Sequence, residues 1–233
     1  LNTPLETWLH EKFSAACAAA GQWSSPSGPR MSPPPAPWEE EFFLRGLNEN
    51  LFEMGERGQV ASELLPAVLE TGAAAKCYRI FSHDPIRLLR ENVCQLASAA
   101  RLIFERGWLR HHLSLEPGRN EHHSTPDQFD LLVRSPAGEI LIWVEARRSA
   151  VELHKLVADL RACSRRGAHR HQDCGFPQNH PRHQFCMAKR PAYLWAVAPE
   201  GDISFEVTYD GAALELEPLA SLPPRSLLEL GQG

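Results

Sequence analysis

The sequence predicts an α/β protein in which a mixed sheet lies between helices. Two observations carry this expectation. Apolar residues recur at helical spacing in some segments and alternate or cluster as strands in others. The order along the second half of the chain runs helix, three strands, helix, strand, and antiparallel neighbours followed by a helical crossover make a mixed sheet. With 233 residues the chain can bury a core without disulfides, and 43% hydrophobic with 23% charged residues exclude collagen-like, wholly disordered and polytopic membrane classes. No apolar run approaches the roughly 18 residues of a membrane helix. The opening residues also lack the basic-then-apolar order of a secretory signal, so a cytoplasmic protein with no membrane partner is expected.

From the amino terminus, Thr3, Pro4 and Glu6 supply a cap, a first-turn proline and a capping-box acid. Leu5, Trp8, Leu9 and Phe13 then recur at helical spacing. Prolines 26, 29, 33, 34 and 35 among serines and glycines read as a tether, so residues 1–37 form an amphipathic helix and a Pro-rich linker. This tethered helix suits docking of a protein partner or a second copy of the chain. Trp38, Phe42, Phe43, Leu47, Leu51 and Phe52 share one helical face, and Val60, Leu64, Leu65, Val68 and Leu69 suggest another helix. Residues 38–81 are therefore a small helical layer.

The third region, 82–233, carries the α/β pattern. Asp84 and Pro85 start a helix along which Ile86, Leu89, Val93, Leu96, Ala100 and Ile103 keep their spacing. A strand over 108–115 follows, then a His-bearing loop. Residues 129–133 and 139–144 form a hairpin about a turn made by Ser135, Pro136, Ala137 and Gly138. Ser149, with Glu152 three residues on, caps a helix through Leu153, Leu156, Val157 and Leu160. Residues 192–197 and 203–209 resume strand character, with Trp143 and Trp195 as core residues of strand centres.

Asp130 stands where the first hairpin strand begins and Glu145 where its partner ends, so the antiparallel pairing makes them neighbours. Alternation puts Arg147 on the same face as Glu145. Two carboxylates held together are costly unless a cation joins them, and hard oxygen ligands suit magnesium or manganese. The plainer reading has Asp130 capping a turn and Glu145 paired with Arg147 or Arg148 on a solvated strand end.

The run Pro126-Asp127-Gln128-Phe129-Asp130-Leu131-Leu132-Val133, followed by Ile140-Leu141-Ile142-Trp143-Val144-Glu145-Ala146-Arg147-Arg148-Ser149, resembles the signature of the PD-(D/E)xK nuclease superfamily. The resemblance covers roughly residues 82–197 and includes the element order. It implies a restriction-endonuclease-like fold, with a mixed four-stranded sheet flanked by helices, and hydrolysis of phosphodiesters in DNA, with RNA as the alternative. Asp130 and Glu145 would then bind Mg2+ or Mn2+. Asp127 competes with Asp130, and Glu91 on the preceding helix matches a further acid of some members. Where the pattern usually has lysine, this chain has Arg147, whose guanidinium keeps its proton and cannot act as a general base. Three readings stay open: Arg147 steadies the scissile phosphate, Lys155 on the next helix reaches back into the site, or the domain binds without cutting.

The charges are segregated within a net −5. Eight glutamates over 38–70 face only Arg45 and Arg57, whereas seven basic residues over 161–190 face the single acid Asp173. Within that basic stretch, the insertion over 163–186 holds Cys163, His169, His171, Cys174, His180, His183 and Cys186. Thiolates and imidazoles a few residues apart can close a tetrahedral zinc site. The expected ligands are Cys163, Cys174, His180 and Cys186, with His169 or His183 as substitutes; the alternative has cysteines packed as small apolar groups and histidines on a solvated loop. A structural zinc would order the insertion and place Arg161, Arg165, Arg166 and Arg170 where they could bind backbone phosphates. His111, His112, His122 and His123 are weaker candidates for the carboxylate site.

Overall fold

The computed structural model describes residues 2–25, 27–65, 78–116 and 129–230. Its helices are α1 (Pro4–Ala19), α2 (Pro37–Asn48), α3 (Arg90–Phe104), α4 (Ala150–Ser164), α5 (His180–Lys189) and α6 (Arg225–Leu230). A two-residue ladder pairs β1 (Glu53–Met54) with β2 (Val60–Ala61). Among the described residues the main sheet has six strands: β3 (Leu113–Leu115), β4 (Leu131–Arg134), β5 (Ile140–Ala146), β6 (Tyr193–Ala198), β7 (Gly201–Asp210) and β8 (Ala213–Leu219). They lie in sequence order, and only the β5–β6 pair, which α4 and α5 connect, is parallel. The protein is thus a mixed α/β fold, with two strands more than the four expected. No helix among the described residues is long and apolar enough to cross a membrane.

Local signals account for the parts that match. Thr3 Oγ1 accepts from Glu6 N–H at 3.3 Å while Glu6 accepts from Thr3 N–H at 2.8 Å, which satisfies two orphan donors of α1. Ser149 Oγ accepts from Glu152 N–H in the same way at the start of α4. The hairpin turn closes at Gly138, whose φ of +85° a residue with a side chain rarely adopts. Every residue of β5 is buried, as expected of a central strand covered on both faces. Ile142, Val144 and Ala146 join Leu131, Val133 and Trp195 in a core under α1, α2 and α3. Trp143 and Ile140 join Leu132, Leu194 and Phe205 in a second core under α4 and α5.

Other expectations are corrected. The helix expected from Asp84 begins at Arg90, because residues 82–89 turn back on themselves: Ser82 Oγ accepts from Arg87 N–H at 2.9 Å, and Phe81 bridges Leu88. Val60 lies in β2, not in a second helix, while Val68 and Leu69 fall outside the described residues. Over 108–115 only the last three residues are strand, after a 3-10 turn at Arg110–His112. α5 begins within the insertion and runs past its end, a helix that was not expected.

The amino-terminal segment also differs from a tether. Leu5, Leu9 and Phe13 of α1 are buried in the main core, so the apolar face proposed for docking a partner is already covered by this chain. The prolines are sewn down by Arg90, whose Nε donates to Pro33 O at 3.1 Å and whose guanidinium pairs with both carboxylate oxygens of Glu39. Glu39 is fully buried and Arg90 nearly so. Removing one partner of such a pair leaves an uncompensated charge, whereas removing both does not. Glu39→Gln should therefore cost about 3–5 kcal/mol in urea unfolding, and adding Arg90→Met should recover a large part of the loss.

Candidate functional site

The hairpin brings the expected carboxylates to one end of the sheet. Leu131 pairs with Val144 across β4 and β5, which sets Asp130 beside the end of β5 where Glu145 lies. Asp130 Oδ2 accepts from the Ala146 amide at 2.6 Å. Just past β5, Arg147 donates its own amide to Val197 O at 2.8 Å, so the β5–β6 ladder anchors the base of its side chain.

The guanidinium of Arg147 is the point on which the acids converge. Nη2 donates to Glu145 Oε2 at 2.6 Å, and Nη1 donates to Glu91 Oε1 at 2.9 Å and to Asp130 Oδ2 at 3.3 Å. Glu91 comes from the first turn of α3, so the three carboxylates belong to three separate elements. The other oxygen of Glu145 accepts from Trp143 Nε1 at 2.9 Å and from Arg182 Nε at 3.0 Å. Arg182 reaches it from the first turn of α5 and also donates to Gln178 O at 2.7 Å. Phe185, on the same helix, packs on Phe129 and Trp143 and fixes the distance between helix and strand.

These contacts push the two buried acids apart. Burial holds Asp130 well above the ordinary carboxylate range, and the charge of Glu145 adds to the rise against the pull of Arg147. Burial acts on Glu145 in the same sense, but Arg182 and Arg147 outweigh it and its pKa falls below the ordinary 4.5. Glu91 is raised by burial despite Arg147. One acid thus keeps its charge and its neighbour keeps its proton longer.

Lys155 is corrected out of this centre: its ammonium pairs with Asp159 one turn on, and its side chain is 72% exposed. Arg161 donates to Leu216 O at 2.8 Å and lies over the Phe205 ring, so it pins β8 and is not held out for phosphate. Arg170 pairs with Asp173 on the surface, while Arg165 and Arg166 are exposed. Arg148 pairs with Glu152. Asp127, His122 and His123 lie outside the described residues. Arg182 was missed as a site residue. Its signal was Pro181 after Asn179 and His180, a first-turn proline that marks the start of a helix.

A second cluster lies in the insertion. Ligand atoms of Cys163, His169, Cys174 and His180 all fall within 4.8 Å of one another, and this group could hold a zinc ion. Cys186 is corrected out of the ligand set, since it is buried in the core under α5, and His169 takes its place. The thiol of Cys163 is pushed up to about 12 by burial and by Cys174. Burial raises Cys174 too, but His169, the Phe176 amide and Cys163 bring it below the ordinary thiol value. Burial lowers His180 and His183.

Comparison with protein-family models and with curated proteins finds no match to this chain.

Two variants separate the buried acids. A carboxylate whose pKa is depressed in the fold adds stability above its ordinary value that is lost as pH falls through the depressed one. Glu145→Gln should cost about 3–5 kcal/mol near neutral pH, with the gap to the parent chain closing as pH drops below 4.5. A raised carboxylate works the other way: its contribution is present in acid and lost as pH rises through the raised value. Asp130→Asn should therefore match or exceed the parent in thermal unfolding at pH 7 to 8 (about neutral).

Proposed function

We propose that this chain is a divalent-metal-dependent phosphodiesterase of restriction-endonuclease-like fold that cleaves nucleic acid, DNA before RNA, in the cytoplasm. The observation that carries the reading is the convergence of Glu91, Asp130 and Glu145 on one cationic point at the end of β5. The element order is compatible with it: α3, then the antiparallel β3, β4 and β5, then α4, α5 and a parallel β6 follow the order helix, three strands, helix, strand, with α5 and two further strands added.

Carboxylate oxygens are the hard donors that Mg2+ and Mn2+ prefer. Such an ion activates water and offsets the charge that builds up on a cleaved phosphodiester. Glu91, Asp130 and Glu145 would hold it. Arg147 would give up its carboxylates and grip a phosphate oxygen, for which its planar fork is suited. Arg182 and Trp143 keep Glu145 ionised and in place throughout.

One observation favours a second reading. Both oxygens of the fully buried Glu145 are already met by Arg147, Arg182 and Trp143, so the centre is satisfied without an ion. In that case the domain is a zinc-stabilised module that binds nucleic acid or a protein partner, with the exposed Arg165 and Arg166 available to phosphate.

Incubation of supercoiled plasmid with the purified chain and Mg2+ or Mn2+ decides between them. Nicking is expected, with a fall of about a hundredfold or more in Asp130→Asn and its abolition in Glu145→Ala. Equal nicking by these variants would sink the assignment of the site. Binding without cleavage of DNA or RNA would establish the second reading.

A further inference from the structure

We propose that Cys163, His169, Cys174 and His180 hold one structural zinc ion, and that this ion sets Arg182 on Glu145. A tetrahedral ion with sulfur at about 2.3 Å and nitrogen at about 2.0–2.1 Å spaces its ligands in a defined way. Two sulfurs stand about 3.8 Å apart, sulfur and nitrogen about 3.6 Å, and two nitrogens about 3.3 Å. The observed separations are 3.6 Å between the Sγ atoms of Cys163 and Cys174, 3.7 Å from Cys163 Sγ to His169 Nε2, and 3.1 Å from His169 Nε2 to His180 Nδ1.

The hydrogen bonds around the cluster leave its lone pairs facing inward. His169 Nδ1 lies 2.7 Å from Gly167 O, which places the ring proton there and leaves Nε2 free to ligate. The Phe176 amide donates to Cys174 Sγ at 3.3 Å, a contact that favours the thiolate. His180 is 1% exposed; its Nδ1 faces His169 Nε2, and its Nε2 has no hydrogen-bond partner among the described residues. Beside it, His183 places Nδ1 3.7 Å from Cys163 Sγ and turns Nε2 to Ala212 O at 3.1 Å. Two thiolates and two neutral imidazoles around Zn2+ carry no net charge, which suits a buried site. Four protein ligands leave no open coordination position, so the ion is structural.

The topology explains why this corner needs a metal. Cys163 ends α4, His180 begins α5, and His169 and Cys174 come from the connection between them. Across residues 165–179 the sole buried apolar side chain is Cys174, and regular structure is limited to the 3-10 turn at His171–Asp173. Burial there does not offset the ordering of the backbone; metal binding can.

The same ion reaches the carboxylate site through α5. Consecutive helical residues are about 100° apart, so His180 and Arg182 leave the helix on nearly opposite sides. The first turn of α5 is held on one side by the cluster and on the other by the Arg182 contact with Glu145. Arg182 is accordingly a positioning residue whose place is set by zinc. This coupling is independent of whether the carboxylate site cleaves phosphodiesters.

The full chain, purified untagged, should contain one zinc per molecule by elemental analysis. Its cobalt(II)-substituted form should show the strong visible absorption of a tetrahedral thiolate site, and Cys174→Ser should lose it. Absence of zinc and of the cobalt absorption in the parent chain would overturn the metal site. The coupling is read at the indole N–H of Trp143, which shares Glu145 Oε1 with Arg182, using a 15N-tryptophan spectrum assigned by the loss of one peak in Trp143→Phe. Stripping zinc should shift that resonance in the parent chain and leave it in place in Arg182→Ala, a variant that should keep its cobalt absorption. Should stripping unfold the chain, exchange of zinc for cadmium, with its longer bonds, gives the same comparison. A resonance that moves equally in both proteins, or in neither, would overturn the coupling while leaving the metal site standing.

Discussion

Arg147 is the charge on which the interior of this fold is balanced. Without a cation between them, Asp130, Glu145 and Glu91 would bring like charges into a poorly solvated corner, at a cost that rises steeply as the dielectric falls. The chain provides that cation from the end of β5, and the amide of Arg147 continues the ladder to Val197, so the charge is delivered at a fixed place. Arg182 adds a second positive group from the opposite layer, and its contact is with Glu145 alone among the three acids. This asymmetry is why Glu145 and Asp130, neighbours in the same hairpin, differ in their readiness to ionise.

What was legible in the sequence was what local chemistry decides. The Thr3 and Ser149 caps, the turn at Gly138 and the apolar runs of β4 and β5 each depend on residues within a few positions of one another, and each stands where expected. The pairing of Asp130 with the end of β5 followed from hairpin register, the one long-range relation that a short turn determines. The start of α3 was not legible. Asp84 and Pro85 carry good initiation signals, but Ser82 and the Phe81–Leu88 bridge hold those residues in a turn and Gln22 Oε1 accepts from the Ile86 amide at 3.0 Å, a case of tertiary contact prevailing over propensity. In β8, the buried Leu214 and Leu216 alternate with the exposed Glu215 and Glu217. That strand pattern was present and went unread.

The insertion shows the limit of composition as a guide. Its wealth of cysteine and histidine pointed to a cluster, but choosing ligands required knowing that residues 180–189 are helical. Six residues along a helix turn Cys186 about 240° away from His180, which sends it into the core under the sheet. His169 gains its place because the connection before α5 folds back over Cys163. The same helix explains Arg182: as loop residues, positions 180 and 182 have no defined relation, whereas on α5 they address two different centres.

The two borders of the main sheet complete the picture of how this chain behaves among its copies. A strand with unpaired amides and carbonyls is a template on which another chain can add. At one border the Leu115 amide of β3 donates to Leu64 O at 2.7 Å; at the other, Ser164 and Arg161 take up the backbone of Leu214 and Leu216, and Glu215, Glu217 and Pro218 of β8 are exposed. Proline lacks an amide proton, and the paired glutamates repel an identical strand laid alongside. Addition of an identical strand at these borders is thereby disfavoured, because backbone groups it would need are already taken within the same chain.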